Sequence, residues 1–310
     1  MGSKKKRGKK GGFGSSVLWL LEYILATSVL AVVRLLPFKL AIRLGGLLGR
    51  FFYIIDRRHR EITENNLRES FGGKSPEEIK SIARSVYTNL GYSAVEFMRS
   101  DRYAGRPVEE HFSFANYDSY LSAHSRGKGV LFLTGHCGSW ELLALAQSVI
   151  GRPFDVVVRP LDNPYLDKAV SAIRTRFGNT LINKTKGMRD ILRALNSGRA
   201  VGILLDQNVS RREGVFVDFF GRPACTNIGL ALIAAKTGAP VVPAFIRRVG
   251  LDRHEIILGD EIPLVNTGDK EADVKTNTQA YTKAIEDFVR AYPDQWFWMH
   301  RRWKTRPEES

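Results

Sequence analysis

The chain is poor in the residues that build metal and disulfide chemistry. Two cysteines, Cys137 and Cys225, and six histidines occur in 310 residues. No CxxC pair and no HxxxH pair is present, which argues against a zinc site. Two thiols in a chain this long fit a reducing, cytosolic compartment rather than a disulfide scaffold. No small-residue cleavage site follows a short apolar core, so a secretory signal peptide is disfavoured. Myristoylation at Gly2 is disfavoured too, because the position that wants Ser or Thr holds Lys6. No internal repeat is visible. Acidic residues are also scarce, with 32 Asp and Glu against 47 Lys and Arg, a net charge of +15.

What is present is enough for one large domain or two modest ones with a sizeable core. Six of the positive charges are Lys4, Lys5, Lys6, Arg7, Lys9 and Lys10, and the rest of the chain still carries +9. A basic body suits an acidic partner: nucleic acid, an anionic membrane, a phosphorylated lipid or an acidic carrier protein. Charge alone does not choose among them.

Residues 1–16, MGSKKKRGKKGGFGSS, read as a disordered basic tail able to lie on anionic lipid. Residues 17–56 read as a membrane-anchoring helical segment. VLWLLEYILATSVLAVVRLLP (17–37) has the length of a membrane span, with Glu22 and Arg34 near its ends and interface-type Trp19 and Tyr23. LAIRLGGLLGRFFYIID (40–56) carries Arg43 and Arg50 on one helical face, as a helix lying in the interface would. Basic residues flank the first segment on both sides, so a single crossing cannot keep both clusters in the cytoplasm. Spanning and in-plane geometries both stay open.

Residues 57–310 read as a single α/β domain. Ser75, Pro76 and Glu78 form a capping box with a proline start, followed by Ile79, Ile82, Val86 and Leu90 at helical spacing. From Gly129 onward short apolar runs at 129–134, 155–159, 200–206, 240–246 and 254–259 predict strands of a sheet covered on both faces. Helices are expected at 140–150, 163–178, 187–197, 225–237 and 273–293. The alternation predicts a mostly parallel sheet.

Ligands of such sheets bind beyond the carboxyl ends of the strands. Three predicted strands end in functional residue types: His136, Arg159 and Asp206-Gln207. In LFLTGHCGSWELL (131–143), Glu141 follows His136 by five places. On one helix they would lie about 140° apart. His136 therefore belongs to the turn before the helix, with Gly138 bending the chain. Glu141, in the first helical turn, would reach back to fix the imidazole tautomer. Three rivals remain on the string alone: Cys137 as nucleophile, half of a metal site, and an ordinary strand-to-helix turn.

An apolar strand ending in His136, with Glu141 after four intervening residues, resembles the HX4D/E signature of the glycerolipid acyltransferases. GHCGSWE is similar to its version in the bacterial lipid A biosynthesis acyltransferase family. VVVRPLDNPYLD (156–167), residues 204–245, QWFWMHRRWKTRP (295–307) and the Arg60–Leu67 segment agree in the same order. The resemblance covers nearly the whole chain beyond the basic tail, whose Lys- and Gly-rich start departs from the usual one.

The resemblance implies a glycerol-3-phosphate-acyltransferase-like α/β fold behind an N-terminal membrane helix. It implies His136 as general base with Glu141 as its partner. Arg159, Asp206 and Gln207 would line the substrate pocket, with Phe220 and Gly221 in a neighbouring loop. Arg301 and Arg302 would stand near phosphates. The implied reaction moves a fatty acyl chain from acyl carrier protein or coenzyme A to a phosphorylated glycolipid, without cofactor, metal or nucleic acid. The implied place is a bacterial inner membrane, with the catalytic domain facing the cytoplasm. Trp140, Leu142 and Leu143 would wall an acyl channel or form plain core. Backbone N–H groups near residues 137–139, or Arg159, would face an oxyanion. Other readings are an Arg159–Asp206 internal ion pair, Phe220 as core and Arg301 and Arg302 as solvated surface. Acylation of another glycolipid or a lysophospholipid, such as a phosphatidylinositol mannoside, is the nearest alternative function. A membrane-associated thioesterase is the next.

Overall fold

The computed structural model describes residues 13–307. Residues 1–12 of the basic tail lie outside it. The first helix, α1 (Phe13–Leu35), begins within the stretch assigned to the tail. It is followed by α2 (Phe38–Ile55), α3 (Arg57–Ser70) and α4 (Pro76–Met98). The expected capping box starts α4: Ser75 Oγ accepts from Glu78 N at 3.2 Å, and Glu78 Oε2 accepts from Ser75 N at 2.7 Å. Pro37 separates α1 from α2, as a residue without an N–H separates helices.

The α/β part runs β1 (Phe112–Ala115), α5 (Tyr117–Ser125), β2 (Val130–Thr134), α6 (Trp140–Val149), β3 (Asp155–Val158), α7 (Pro164–Arg174) and β4 (Thr180–Asn183). It continues with α8 (Met188–Asn196), β5 (Ala200–Leu204), β6 (Gly214–Phe219), β7 (Arg222–Asn227) and α9 (Gly229–Thr237). The chain closes with β8 (Val241–Gly250), β9 (Arg253–Leu258) and α10 (Lys270–Ala291). Seven strands form one sheet in the order β1-β9-β8-β2-β5-β3-β4. Every pairing is parallel except β8–β9. The mostly parallel sheet expected from the apolar runs is therefore present.

β2 lies mid-sheet and is buried throughout. Leu131 and Leu133 belong to one apolar core and Val130 and Phe132 to the other, the period-two division of a strand covered on both faces. The helix expected over 225–237 starts at Gly229, because residues 222–227 pair with 214–219 as a hairpin. Its turn, Phe220-Gly221, has positive φ at both residues (58° and 72°), the two-residue hairpin geometry that favours glycine or asparagine. Phe220 takes it because its ring is buried and its N–H donates to Glu286 Oε2 at 2.7 Å.

α1 contains a 20-residue stretch, Ser16–Leu35, long and apolar enough to cross a membrane. It nevertheless lies against the body at two separated points. Asn163 Nδ2 donates to Trp19 O and to Glu22 Oε2, both at 2.9 Å, near its start. Arg99 Nη1 donates to Val33 O at 2.8 Å and Leu36 O at 3.0 Å near its end. α2 packs on α4 at backbone distance, since a Cβ on Gly91 would stand 2.0 Å from Gly45 O. The outer sides of both helices are apolar and exposed, including Leu25, Leu35, Leu47, Phe51 and Ile54.

Candidate active site

β2 and β5 are neighbours, so the segments leaving their carboxyl ends lie side by side. β2 delivers His136 and β5 delivers Asp206 and Gln207. Gly135 makes the close approach possible; a Cβ there would be 3.2 Å from Asp206 Cγ. Asp206 Oδ1 lies 2.8 Å from His136 Nδ1. Asp206 Oδ2 accepts from the His136 backbone N–H and from Trp296 Nε1, both at 2.8 Å.

The carboxylate in hydrogen-bonding contact with the imidazole is Asp206, seventy residues on, where Glu141 was expected to reach back. Glu141 instead takes a two-pronged hydrogen bond from Arg174, at 2.9 and 2.5 Å. Its charge still acts on His136 from across the same chamber. The Arg159–Asp206 ion pair is also not formed, because Arg159 pairs with Asp162 at 3.2 Å.

Asp206 is fully enclosed, and burial would raise its pKa. The imidazole and the hydrogen bonds outweigh burial and hold the carboxyl below its usual range. For His136, burial opposes protonation, but the charge and hydrogen bond of Asp206 outweigh it and raise the pKa. With an ionised acceptor at Nδ1, the neutral ring carries its proton there and presents a lone pair at Nε2. Gln207 Nε2 stands 3.3 Å from that atom. The rings of Trp140 and Phe297 flank the imidazole at 5.2 and 6.3 Å.

The turn from His136 to Ser139 is held from behind by the segment 295–297. Gly138 N donates to Gln295 O at 2.5 Å, and Phe297 N donates to His136 O at 3.1 Å. Ser139 occupies the N-cap position of α6 without capping it. Its hydroxyl donates to buried Glu96 at 2.6 Å and accepts from Arg248 Nη2 at 2.9 Å. Burial alone would raise the Glu96 pKa, but His254 and Arg248 hold it down at about 2. This buried network ties α4 and β8 to the turn that carries His136.

Gly138 has φ +56°, and a Cβ there would meet Ile246 O at 2.0 Å. Gly138→Ala is therefore expected to cost about 2–4 kcal/mol, the range of a strained backbone plus a steric clash. A lowered melting temperature together with reduced turnover would show it. An unchanged melting temperature would contradict the packing described.

His136 opens onto a chamber of about 240 Å³. Leu145, Val156, Ile173 and Leu204 supply apolar wall, and Glu141, Arg159, Arg174, Lys184 and Gln207 supply polar groups. The structure thus brings His136, Glu141, Arg159 and Gln207 around one space, with Asp206 beneath. Trp140 lines it, whereas Leu142 and Leu143 are core.

Other expected residues lie elsewhere. Phe220 is core, and Gly221 sits beside it in the hairpin turn, away from the chamber. Arg302 is fully buried; it donates to Cys225 O at 2.9 Å and to Thr226 Oγ1, so it faces no phosphate. Arg301 is exposed and lines a separate hollow with His300 and Lys304. Burial pushes the His300 pKa down to about 4. Cys137 is buried and its thiol pKa raised by desolvation, the opposite of an activated nucleophile. The N–H groups of Cys137 and Gly138 are already bonded, to Gly135 O and Gln295 O, and are not free to face an oxyanion. Sequence reasoning missed Trp296, Arg174 and Phe297 as site residues. The aromatic run QWFW was the available signal.

Fold and site together define an α/β enzyme whose carboxylate-backed imidazole stands at neighbouring strand ends beside a partly apolar chamber. The family model for bacterial lipid A biosynthesis acyltransferases matches residues 12–305. The chain belongs to that family and is an acyltransferase. It is similar to the lipid A biosynthesis lauroyltransferase of Escherichia coli (strain K12), 28% identical over 289 residues that cover 92% of each chain. The palmitoleoyltransferase of the same organism is 25% identical over 297 residues, 95% of this chain and 91% of the relative. Its myristoyltransferase is 22% identical over 282 residues, 91% and 86%.

Proposed function

We propose that this enzyme moves a fatty acyl chain from an acyl thioester to a hydroxyl of an acylated lipid A precursor. The observation that carries the mechanism is the Asp206–His136 contact, which leaves Nε2 unprotonated at the chamber. The acceptor hydroxyl gives its proton to Nε2, and its oxygen attacks the thioester carbonyl. Asp206 and, at longer range, Glu141 stabilise the imidazolium that forms. The Gln207 amide and Arg159 face the developing oxyanion. The tetrahedral intermediate collapses, the C–S bond breaks, and the proton on Nε2 passes to the departing thiolate. No acyl-enzyme is required.

The lauroyl, palmitoleoyl and myristoyl relatives support the acceptor class. The net charge of +15 supports an acidic acyl carrier protein as donor. The reading includes membrane attachment. α1 is tied to the body near both ends, which favours a helix lying in the plane of the membrane with α2 rather than one projecting across it.

The test is incubation of purified enzyme with acyl carrier protein and coenzyme A thioesters, with and without lipid A precursors. The expected product is a precursor heavier by one acyl group in mass spectrometry, formed faster from the carrier protein thioester. Thiol release at one rate whether or not an acceptor is present would instead identify a hydrolase.

A further inference from the structure

Glu96, Ser139, Arg248 and His254 form a buried polar cluster behind the catalytic turn, and none of them lines the chamber. Glu96 and His254 are fully enclosed and Arg248 nearly so. Arg248 grips the Glu96 carboxylate with two nitrogens, Nη1 on Oε1 and Nη2 on Oε2, the second at 2.6 Å. His254 Nε2 stands 3.2 Å from Oε1. The Ser139 hydroxyl sits between the two charges. It donates to Glu96, accepts from Arg248, and lies 2.8 Å from the Ser93 hydroxyl on α4.

Arg248 also reaches the turn through its backbone. Its N–H donates to Gln295 Oε1 at 2.7 Å, and its carbonyl accepts from Gln295 Nε2 at 3.1 Å. The Gln295 carbonyl in turn accepts from Gly138 N. One residue therefore governs both Gly138 and Ser139, the last two positions before α6.

Two features separate this cluster from an ordinary stabilising contact. Ser139 is the N-cap of α6, yet its hydroxyl makes no capping bond. The stabilisation that a serine commonly gives a helix at this position is forgone. A fully buried ion pair, for its part, adds little net stability, because the cost of removing two charges from water offsets their attraction. Apolar residues of similar volume often serve as well or better. What the pair does provide is direction. A two-pronged guanidinium–carboxylate contact fixes the relative orientation of its partners, and Ser139 is bonded to both. From Ser139 the constraint passes into α6, whose Trp140, Glu141 and Leu145 line the chamber with His136. The Trp140 ring lies 5.2 Å from the imidazole.

Resting on the reading of His136 as the base of acyl transfer, we propose that Glu96, Arg248 and Ser139 are positioning residues. The ion pair orients the Ser139 hydroxyl. That hydroxyl fixes the start of α6 against α4 and β8, and with it the placement of His136, Trp140 and Glu141 around the chamber.

The test removes this clamp in two independent ways. Ser139→Ala deletes the hydroxyl and keeps the ion pair. Glu96→Leu combined with Arg248→Met replaces the pair with apolar side chains and frees Ser139 to cap α6. For each variant, kcat, the KM for an acyl thioester and the melting temperature are measured with one acceptor. Misplacing a reacting group by about 1 Å costs roughly a hundredfold, so kcat is expected to fall by about ten- to a hundredfold in both, with a smaller change in KM. The apolar double variant is nevertheless expected to melt at or above the wild-type temperature. Wild-type kcat in the folded double variant overturns the proposal, and so does a loss of kcat that only follows a lowered melting temperature.

Where the double variant does not fold, Arg248→Lys decides. Lysine keeps the charge but not the two-pronged contact, so kcat is expected to fall while the fold persists. Wild-type kcat in both Arg248→Lys and Ser139→Ala would overturn the clamp. His136→Asn carries the underlying reading separately. Activity retained there sinks the assignment of the base, whereas an inactive His136→Asn beside fully active clamp variants sinks the positioning role alone.

Discussion

His136→Asn is expected to abolish acyl transfer, lowering kcat/KM by roughly 10³-fold or more, the upper range for loss of a general base. Asparagine is the informative substitution. Its amide nitrogen falls near the position of Nδ1 and can still donate to Asp206 Oδ1, which the imidazole meets at 2.8 Å. The buried carboxylate therefore keeps its hydrogen bonds, and the melting temperature is expected to stay close to wild type. His136→Ala gives the same kinetic loss but strips Asp206 of its side-chain partner at this site. Burying an underpaired charge is destabilising, so that variant mixes two effects. Initial rates of acylated product, read beside thermal unfolding of both variants, separate them. Asparagine at 136 with more than a tenth of wild-type activity would remove His136 from the chemistry.

The strands were readable because a parallel sheet buried on both faces leaves continuous apolar runs, and β2 and β5 are such runs. The place of His136 in the turn was readable from helical geometry alone. Its partner was not. Glu141 lies nearby in sequence and Asp206 does not, yet the carboxylate that touches the ring comes from β5. That proximity follows from strand order, with β5 rather than β3 beside β2, and one chain's hydropathy pattern contains no strand order. Arg302 was misread for a related reason. A basic residue in a basic segment suggests surface or a phosphate contact, but its guanidinium is enclosed by the carbonyl of Cys225 and the hydroxyl of Thr226. Polar side chains satisfied by distant backbone atoms leave no local trace. The hairpin at 214–227 was hidden because its turn uses Phe220-Gly221 where Asn-Gly or Asp-Gly would have announced it.

Asp206→Asn tests the same assignment from the other side and is expected to cost about 10²–10⁴-fold, as loss of a base's orienting carboxylate does. The reason is the tautomer. Two donors, the His136 backbone N–H and Trp296 Nε1, converge on Oδ2. An asparagine at 206 places its single oxygen there to satisfy both, which turns its NH₂ towards His136 Nδ1. Nδ1 then becomes the acceptor, the ring proton moves to Nε2, and the atom facing the chamber has no lone pair to take a hydroxyl proton. The pH profile should move as well. Transfer needs neutral His136, so kcat/KM rises with pH through its pKa. Asp206 raises that pKa, which places the acidic limb above the 6.5 of a free imidazole. Without the carboxylate the imidazolium loses its main stabiliser, and the limb moves to lower pH while the plateau falls. Glu141→Gln also removes a charge that raises the pKa, but it leaves Nδ1–H in place. It should shift the limb in the same direction without inverting the tautomer. A kcat/KM profile from pH 5 to 9, with histidine ring nitrogens followed by NMR, reports both the pKa and the protonated nitrogen. If Asp206→Asn keeps the limb where it is and leaves the proton on Nδ1, then Asp206 is a structural anchor of the turn and the base is governed by Glu141.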